Sequence, residues 1–88
     1  MMQLSAELSL YPLEGDIDAQ VLAFIEDLVQ TGAVSAVTNT MSTQISGDWD
    51  GVMTAVNGAL KLSAQRSGRQ VLVAKFLPNH RIEVGPEG

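Results

Sequence analysis

The sequence has no cysteine, few basic residues and no apolar run of about 18 residues. The lack of cysteine excludes disulfide scaffolds, thiolate metal sites and thiol catalysis. The lack of a long apolar run argues against a membrane partner, and Met1 to Gln3 lack the charged and apolar regions of a signal peptide. We therefore expect a cytoplasmic protein.

Charge and histidine content narrow the possible functions further. Ten acidic residues against five scattered basic ones give a net charge of −5, so no basic stripe is available to displace counterions from a nucleic acid. The single histidine, His80, follows Pro78 and Asn79 in a turn, and one histidine makes no metal site. We therefore expect no nucleic-acid partner, no metal and no cofactor. Because no nucleophile–base pair is visible either, we also expect no enzymatic activity.

The spacing of apolar residues predicts one domain, 1–88, with the element order βαββαβ. Apolar and polar residues alternate from Leu4 to Tyr11, which is typical of a strand with one buried face. Apolar residues recur every three or four positions after Asp16 and after Asp48, which indicates amphipathic helices. We expect strands at 3–11, 34–38, 41–46 and 70–77, a further edge strand at 81–84, and helices capped by Asp16 or Asp18 and by Asp48 or Asp50 that end at Gly32 and Gly68.

This order predicts an α+β fold, the ferredoxin-like plait, with a four-stranded antiparallel sheet and both helices on one face. The other face is then open, and on the first strand it carries Ser5, Glu7, Ser9 and Tyr11. A domain of this size is marginal alone, so we expect self-association into a dimer or tetramer through the open face. We also expect the first and third strands to lie parallel, which would place both helix N-termini at one end, beside Tyr11 and Asp48.

Helix N-termini favour anions, but here the surrounding sequence is acidic. The acidic residues at these positions are Glu14, Asp16, Asp18, Asp48 and Asp50. Their carboxylates repel phosphate and can satisfy the free amides themselves, and no arginine lies among these loops. An acylphosphatase-like activity is therefore not expected, and Asp16 and Asp18 are interpreted as helix caps.

Residues 38–50 are unusually rich in hydroxyl and amide groups for a region that includes strands. Such a surface must hydrogen-bond something, either a small polar ligand or another copy of the chain. Glu7, in the middle of a central strand, needs a partner as well, which is either Lys75 on the neighbouring strand or a cationic ligand. Trp49 and Tyr11 each allow two interpretations, structural packing or a stacking surface for a ring.

Three segments together resemble the YkoF-like thiamine-binding family. They are SLYPL at 9–13, MSTQISGD at 41–48 with Val52 behind it, and the last strand from Lys75 to Arg81. The resemblance covers nearly the whole chain, in order and at similar spacing. One departure is Ser46, because many members carry glutamate directly before the Gly-acid step.

The resemblance implies a non-enzymatic protein that binds thiamine or its hydroxymethylpyrimidine part, in thiamine uptake or salvage. It also implies ferredoxin-like domains that pair through their sheets. Hydroxyl and amide groups would contact the pyrimidine, and Asp48 or Glu7 would favour a cationic group. The residues expected to contact the ligand are Glu7, Ser9, Tyr11, Asn39, Met41, Ser42, Thr43, Asp48 and Trp49. The alternative is a regulatory or structural self-associating module without a small ligand.

Overall fold

The computed structural model describes residues 2–30, 32, 34–39 and 42–81. Its elements are β1 (Gln3–Pro12), α1 (Ile17–Gln30), β2 (Ser35–Thr38), β3 (Thr43–Asp48), α2 (Trp49–Ser67) and β4 (Gln70–Pro78). The four strands form one antiparallel sheet in the order β2-β3-β1-β4, which confirms the predicted ferredoxin-like fold. Residue 81 is the last one described, so the expected strand at 81–84 lies outside the described residues, as do Thr40 and Met41. In the described part of the chain no helix is long and apolar enough to cross a membrane.

The expectation of parallel first and third strands is wrong. Gln3 pairs with Asp48 and Leu8 pairs with Thr43, so β1 and β3 run antiparallel. The reason is topological: the crossover through α1 makes β1 parallel to β2, and the β2–β3 hairpin then reverses the direction of the chain. The N-termini of α1 and α2 therefore lie at opposite ends of the sheet.

The core lies between the sheet and the two helices, on the apolar face of β1. Its members are nearly inaccessible to solvent and come from β1, β3 and both helices. They are Leu4, Ala6, Leu8, Leu10, Phe24, Leu28, Ile45, Val52, Ala55, Val56 and Ala59. The alternation seen in the sequence of β1 places its leucines here and its polar residues on the other face.

Both helices begin with an aspartate cap. The carboxylate of Asp16 accepts the amide of Ala19 at 3.1 Å, and that of Asp48 accepts the amide of Gly51 at 3.3 Å. α2 ends at Gly68, whose φ of 79° is a left-handed conformation that favours glycine. Capping by Asp16 leaves Asp18, in the first turn of α1, without a capping role, so the cap interpretation is correct for only one of these two residues.

The face without helices is only partly open. Glu7, Ser9 and Tyr11 lie on it as predicted, but Ser5 is 1% exposed and Ser46 beside it is 2% exposed. The Ser5 hydroxyl donates a hydrogen bond to the carbonyl of His80 at 2.6 Å, so the segment that follows β4 crosses this corner of the sheet. The prediction that Ser5 is open to solvent is therefore wrong.

Candidate functional site

A cavity of about 560 Å³ lies between α1 and the end of the sheet where β1 and β2 finish and β3 begins. Hereafter it is called the α1 cleft. Its residues are Leu8, Ser9, Leu10, Tyr11, Asp18, Val21, Leu22, Phe24, Ile25, Thr38, Asn39, Ser42 and Thr43. Leucines of β1 and apolar residues of α1 form its walls, and polar residues of the β2–β3 hairpin lie along one side. A volume of this size and a mixed lining are typical of small-molecule sites.

The α1 cleft brings together five of the nine residues that the sequence analysis selected. They are Ser9, Tyr11, Asn39, Ser42 and Thr43. They converge because the ends of β1 and β2 and the start of β3 lie at the same edge of the antiparallel sheet. Met41, also selected, lies outside the described residues.

Hydrogen bonds within the β2–β3 hairpin order the polar side of the cleft. The hydroxyls of Thr38 and Thr43 lie 3.0 Å apart across the two strands. The backbone amide of Ser42 donates a hydrogen bond to the side-chain oxygen of Asn39 at 2.9 Å. The backbone amide of Asn39 donates to the carbonyl of Ser42, also at 2.9 Å. These bonds hold hydroxyl and amide groups at fixed positions, which a site that recognises the edge of a heterocycle requires.

Asp18 is a cleft residue that sequence reasoning missed. Asp18 lies in the exposed first turn of α1 and lines the cavity, whereas Asp16 takes the capping role. Among the described residues Asp18 has no ion-pair partner. The signal in the sequence was the presence of two aspartates where a helix start needs only one.

Glu7 lies on the open face, close to the cleft, at the centre of a polar cluster. Its carboxylate accepts hydrogen bonds from the hydroxyl of Ser42 at 3.0 Å and from the amide of Gln44 at 3.5 Å. The ammonium of Lys75 lies 3.7 Å from its other oxygen, so of the two partners considered for Glu7 the structure contains the ion pair with Lys75. Ser42 therefore connects the open face with the lining of the cleft.

The polar cluster lowers the pKa of Glu7 from its ordinary value. The hydrogen bond from Ser42 is the main cause, followed by that from Gln44, while partial desolvation opposes both and Lys75 adds a further lowering. A carboxylate with a lowered pKa stabilises the folded state above its unfolded pKa, and this contribution is lost as the pH falls through the folded pKa.

We expect Ser42→Ala to raise the pKa of Glu7 towards its ordinary value, because the strongest donor to the charged form is removed. The measurement is an NMR titration of the Glu7 side-chain carboxyl carbon. Ser9→Ala, on the same face but not among the groups that shift the pKa of Glu7, is the matched control and should leave this pKa in place. An unchanged titration in Ser42→Ala would contradict the assignment of Ser42 as the main donor.

Asp48 and Trp49 do not line the cleft, so the structure does not bring them together with the other selected residues. Asp48 pairs with Gln3 at the start of β1, eight residues from Tyr11 and thus about 26 Å from the cleft end of the strand. The backbone amide of Trp49 donates to the carbonyl of Met2 at 2.9 Å, which ties α2 to the start of the chain. The expected parallel arrangement of β1 and β3 would have placed them beside Tyr11, and the antiparallel pairing does not.

Ser46 also lies away from the cleft. Its hydroxyl is 2.6 Å from that of Ser5, and because Ser5 donates to the His80 carbonyl, Ser46 is the donor between the two serines. This buried site has hydroxyls where a longer acidic side chain would need space and solvation. The resembled family often has glutamate at this position, and in this chain the serine there is buried under the segment that crosses the sheet.

A second cavity, of about 430 Å³, lies on the open face. Glu7, Gln44 and Lys75 line it, together with His80 and Arg81 from the segment that follows β4. His80 is exposed and lines this second cavity, which lies on the side of the sheet opposite the walls of the α1 cleft. The second cavity is lined by one of the nine selected residues, Glu7, whereas the α1 cleft is lined by five.

Comparisons with known proteins find similar solved structures but no match by sequence. No protein-family model and no curated protein matches the chain. A solved structure from Streptococcus pneumoniae is similar, with 26% identity, a TM-score of 0.75 and coverage of 85% of this chain and 84% of that one. A domain of unknown function, DUF77, from Bacillus cereus has 22% identity and a TM-score of 0.72, over 85% of this chain and 74% of that one.

A further similar structure comes from a Thermotoga maritima protein provisionally assigned to thiamine biosynthesis or salvage. It is 16% identical, with a TM-score of 0.73, and covers 84% of this chain and 81% of that one. At this level of identity the likeness shows a shared fold. This chain therefore has the same fold as that protein and as the DUF77 domain.

Proposed function

We propose that this chain is a non-enzymatic, cytoplasmic binding protein of the YkoF-like family, and that it holds thiamine or its hydroxymethylpyrimidine part in the α1 cleft. The observation that carries the proposal is the convergence of five selected residues on one cavity of about 560 Å³. The provisional thiamine assignment of the Thermotoga maritima protein supports the ligand class. Uptake or salvage is the corresponding role in the cell.

The chemistry of the cleft suits such a ligand. Apolar side chains of α1 and β1, including Phe24, offer contact to a flat ring, while Tyr11, which is 54% exposed on the open face, lies at the edge of the cleft. Hydroxyl and amide groups of the hairpin match the alternating donors and acceptors of an aminopyrimidine. The carboxylate of Asp18 at the start of α1 favours a cationic thiazolium over a neutral ligand.

Thermal shift with thiamine and with hydroxymethylpyrimidine tests the function. A ligand that binds only the folded state, at a hundred times its dissociation constant, stabilises it by about 2.7 kcal/mol. For a domain of this size that corresponds to a rise in Tm of roughly 10–20 °C. Titration calorimetry that detects no heat with either compound at about 0.1 mM protein would remove thiamine-like compounds from consideration.

We expect Asp18→Asn to weaken thiamine binding by roughly three- to tenfold, because one exposed carboxylate near the cation is lost. Binding of the neutral hydroxymethylpyrimidine should change by less than about twofold. The matched control is Asp50→Asn, the second residue of α2, at the other end of the sheet. Equal losses of affinity in the two variants, or equal losses for both ligands in Asp18→Asn, would contradict a role for Asp18 in the cleft.

The exposed apolar residues of the open face favour a second function, self-association without a small ligand. Tyr11, Val71, Val73 and Leu77 are between 45% and 54% exposed on this face. A face-to-face dimer would bury them and could place Glu7 against Lys75 of the second copy. Gln44→Lys, which adds a charge at the middle of this face, should then lower the mass in solution, and thiamine should shift the Tm of neither the native protein nor the variant.

A further inference from the structure

The second cavity, on the open face of the sheet, carries an excess of positive charge. Its charged residues are Glu7, Lys75 and Arg81, and the imidazole of His80 lines it as well. The chain as a whole has a net charge of −5, and the α1 cleft has a single charged residue, Asp18. The two faces of the sheet therefore have cavities of opposite charge.

Two hydrogen bonds hold the segment that carries His80 and Arg81 against the sheet. The amide of Asn79 donates to the carbonyl of Gln3 at 2.7 Å, and the hydroxyl of Ser5 donates to the carbonyl of His80 at 2.6 Å. Asn79 has a φ of 61°, a left-handed turn conformation that asparagine tolerates better than most residues. The turn therefore directs the chain back over β1 after β4 ends, and both His80 and Arg81 line the cavity.

The three basic side chains of the cavity have donors available to a ligand. Among the residues that the structure describes, Arg81 has no ion-pair partner, and His80 is exposed. The side chain of Lys75 is 77% exposed, and its ammonium has three N–H donors near the carboxylate of Glu7 at 3.7 Å. A guanidinium binds phosphate through two parallel hydrogen bonds, and a phosphoryl group has enough oxygens to accept from the other two side chains as well.

We propose that the second cavity binds a phosphate monoester, independently of the ligand in the α1 cleft. The phosphoryl group accepts hydrogen bonds from Lys75, His80 and Arg81. Leu77, which is 54% exposed and lines the same cavity, contacts the organic part of the ester. A volume of about 430 Å³ is sufficient for a small ester of this kind. Glu7 weakens the binding, because its carboxylate repels the anion and attracts the ammonium of Lys75.

Titration of the 15N-labelled protein with phenyl phosphate tests the proposal, in about 0.15 M sodium chloride so that weak surface attraction is screened. We expect saturable binding with a Kd at or below about 1 mM. The largest amide shifts should occur at Gln44, Leu77 and Arg81, with little change at Leu22 of the α1 cleft. Inorganic phosphate should bind roughly three- to tenfold more weakly, because it lacks the apolar contact with Leu77. Benzoate should also bind more weakly than phenyl phosphate, because it has a single charge and two acceptor oxygens.

Three variants test the assignment of the side chains. Arg81→Gln should weaken binding of phenyl phosphate by about fivefold or more, because a charged donor is lost. The matched control is Arg69→Gln, the same change at an exposed position just before the other end of β4, which should alter the affinity by less than about twofold. Glu7→Gln should instead tighten binding by roughly two- to fivefold, an effect that a purely structural role of Glu7 would not produce.

Several results would overturn the proposal. They are a Kd for phenyl phosphate above about 1 mM, equal losses of affinity in Arg81→Gln and Arg69→Gln, and weaker binding in Glu7→Gln. Benzoate that binds as tightly as phenyl phosphate would overturn the assignment to a phosphate ester. Amide shifts confined to the α1 cleft would overturn it as well, because the ester would then occupy the other face of the sheet.

Discussion

Replacing Phe24 with alanine is expected to lower the free energy of unfolding by about 3–5 kcal/mol. Phe24 is 2% exposed, packs in the core beneath α1 and also forms a wall of the α1 cleft. Truncation removes the transfer free energy of the ring and leaves a void that the rigid sheet cannot fill. A domain of this length has a total stability of only roughly 4–13 kcal/mol, so the variant would be close to unfolding.

Guanidinium denaturation followed by circular dichroism measures this loss. Leu22→Ala is the matched control, because Leu22 is on the same helix and lines the same cleft but is 61% exposed. We expect it to cost less than about 1 kcal/mol. Similar losses in the two variants would mean that α1 does not pack on the sheet through Phe24.

Ser46→Glu is expected to be the second most destabilising change, with a loss of about 3 kcal/mol or more. The position is 2% exposed, and the hydroxyl of Ser5 lies 2.6 Å away, beneath the carbonyl of His80. A carboxylate there must either lose its hydration or displace the segment that crosses the sheet. The loss should diminish at low pH, because protonation of the carboxyl removes the buried charge.

Two variants separate charge from the loss of a hydrogen bond at this site. Ser46→Ala removes only the hydroxyl and should cost about 1 kcal/mol. Ser35→Glu introduces the same carboxylate opposite Ser46 on the half-exposed edge strand, where it can remain hydrated. If Ser46→Glu is as stable as Ser35→Glu in chemical denaturation, the covered corner of the sheet is not closed to a longer side chain.

Local sequence patterns predicted much of the fold. The alternation along β1 determined which side chains face the helices, since the period of a strand leaves no other choice. Asp16 and Asp48 were recognisable as caps, and Gly32 and Gly68 as helix ends, because these positions need particular backbone chemistry. Such features depend on neighbouring residues, which is why one sequence is sufficient to identify them.

The position of the site depended on contacts between distant segments. Part of the hydroxyl-rich stretch lines the α1 cleft, whereas Asp48 and Trp49 lie at the other end of the sheet, because β1 and β3 run antiparallel and not parallel as expected. Asp18 was missed because its spacing from the start of α1 is equally compatible with a cap. Burial of Ser5 and Ser46 follows from the crossing of the chain at His80, which no local pattern indicates.

Mapping of thiamine-induced chemical shifts in the 15N-labelled protein tests the central claim most directly. We expect the largest shifts at amides of Val21, Leu22, Thr38, Asn39 and Thr43, which surround the α1 cleft, and smaller ones at Leu77 and Gln44 on the open face. Shifts confined to the open face, or none at saturating thiamine, would contradict binding in the cleft.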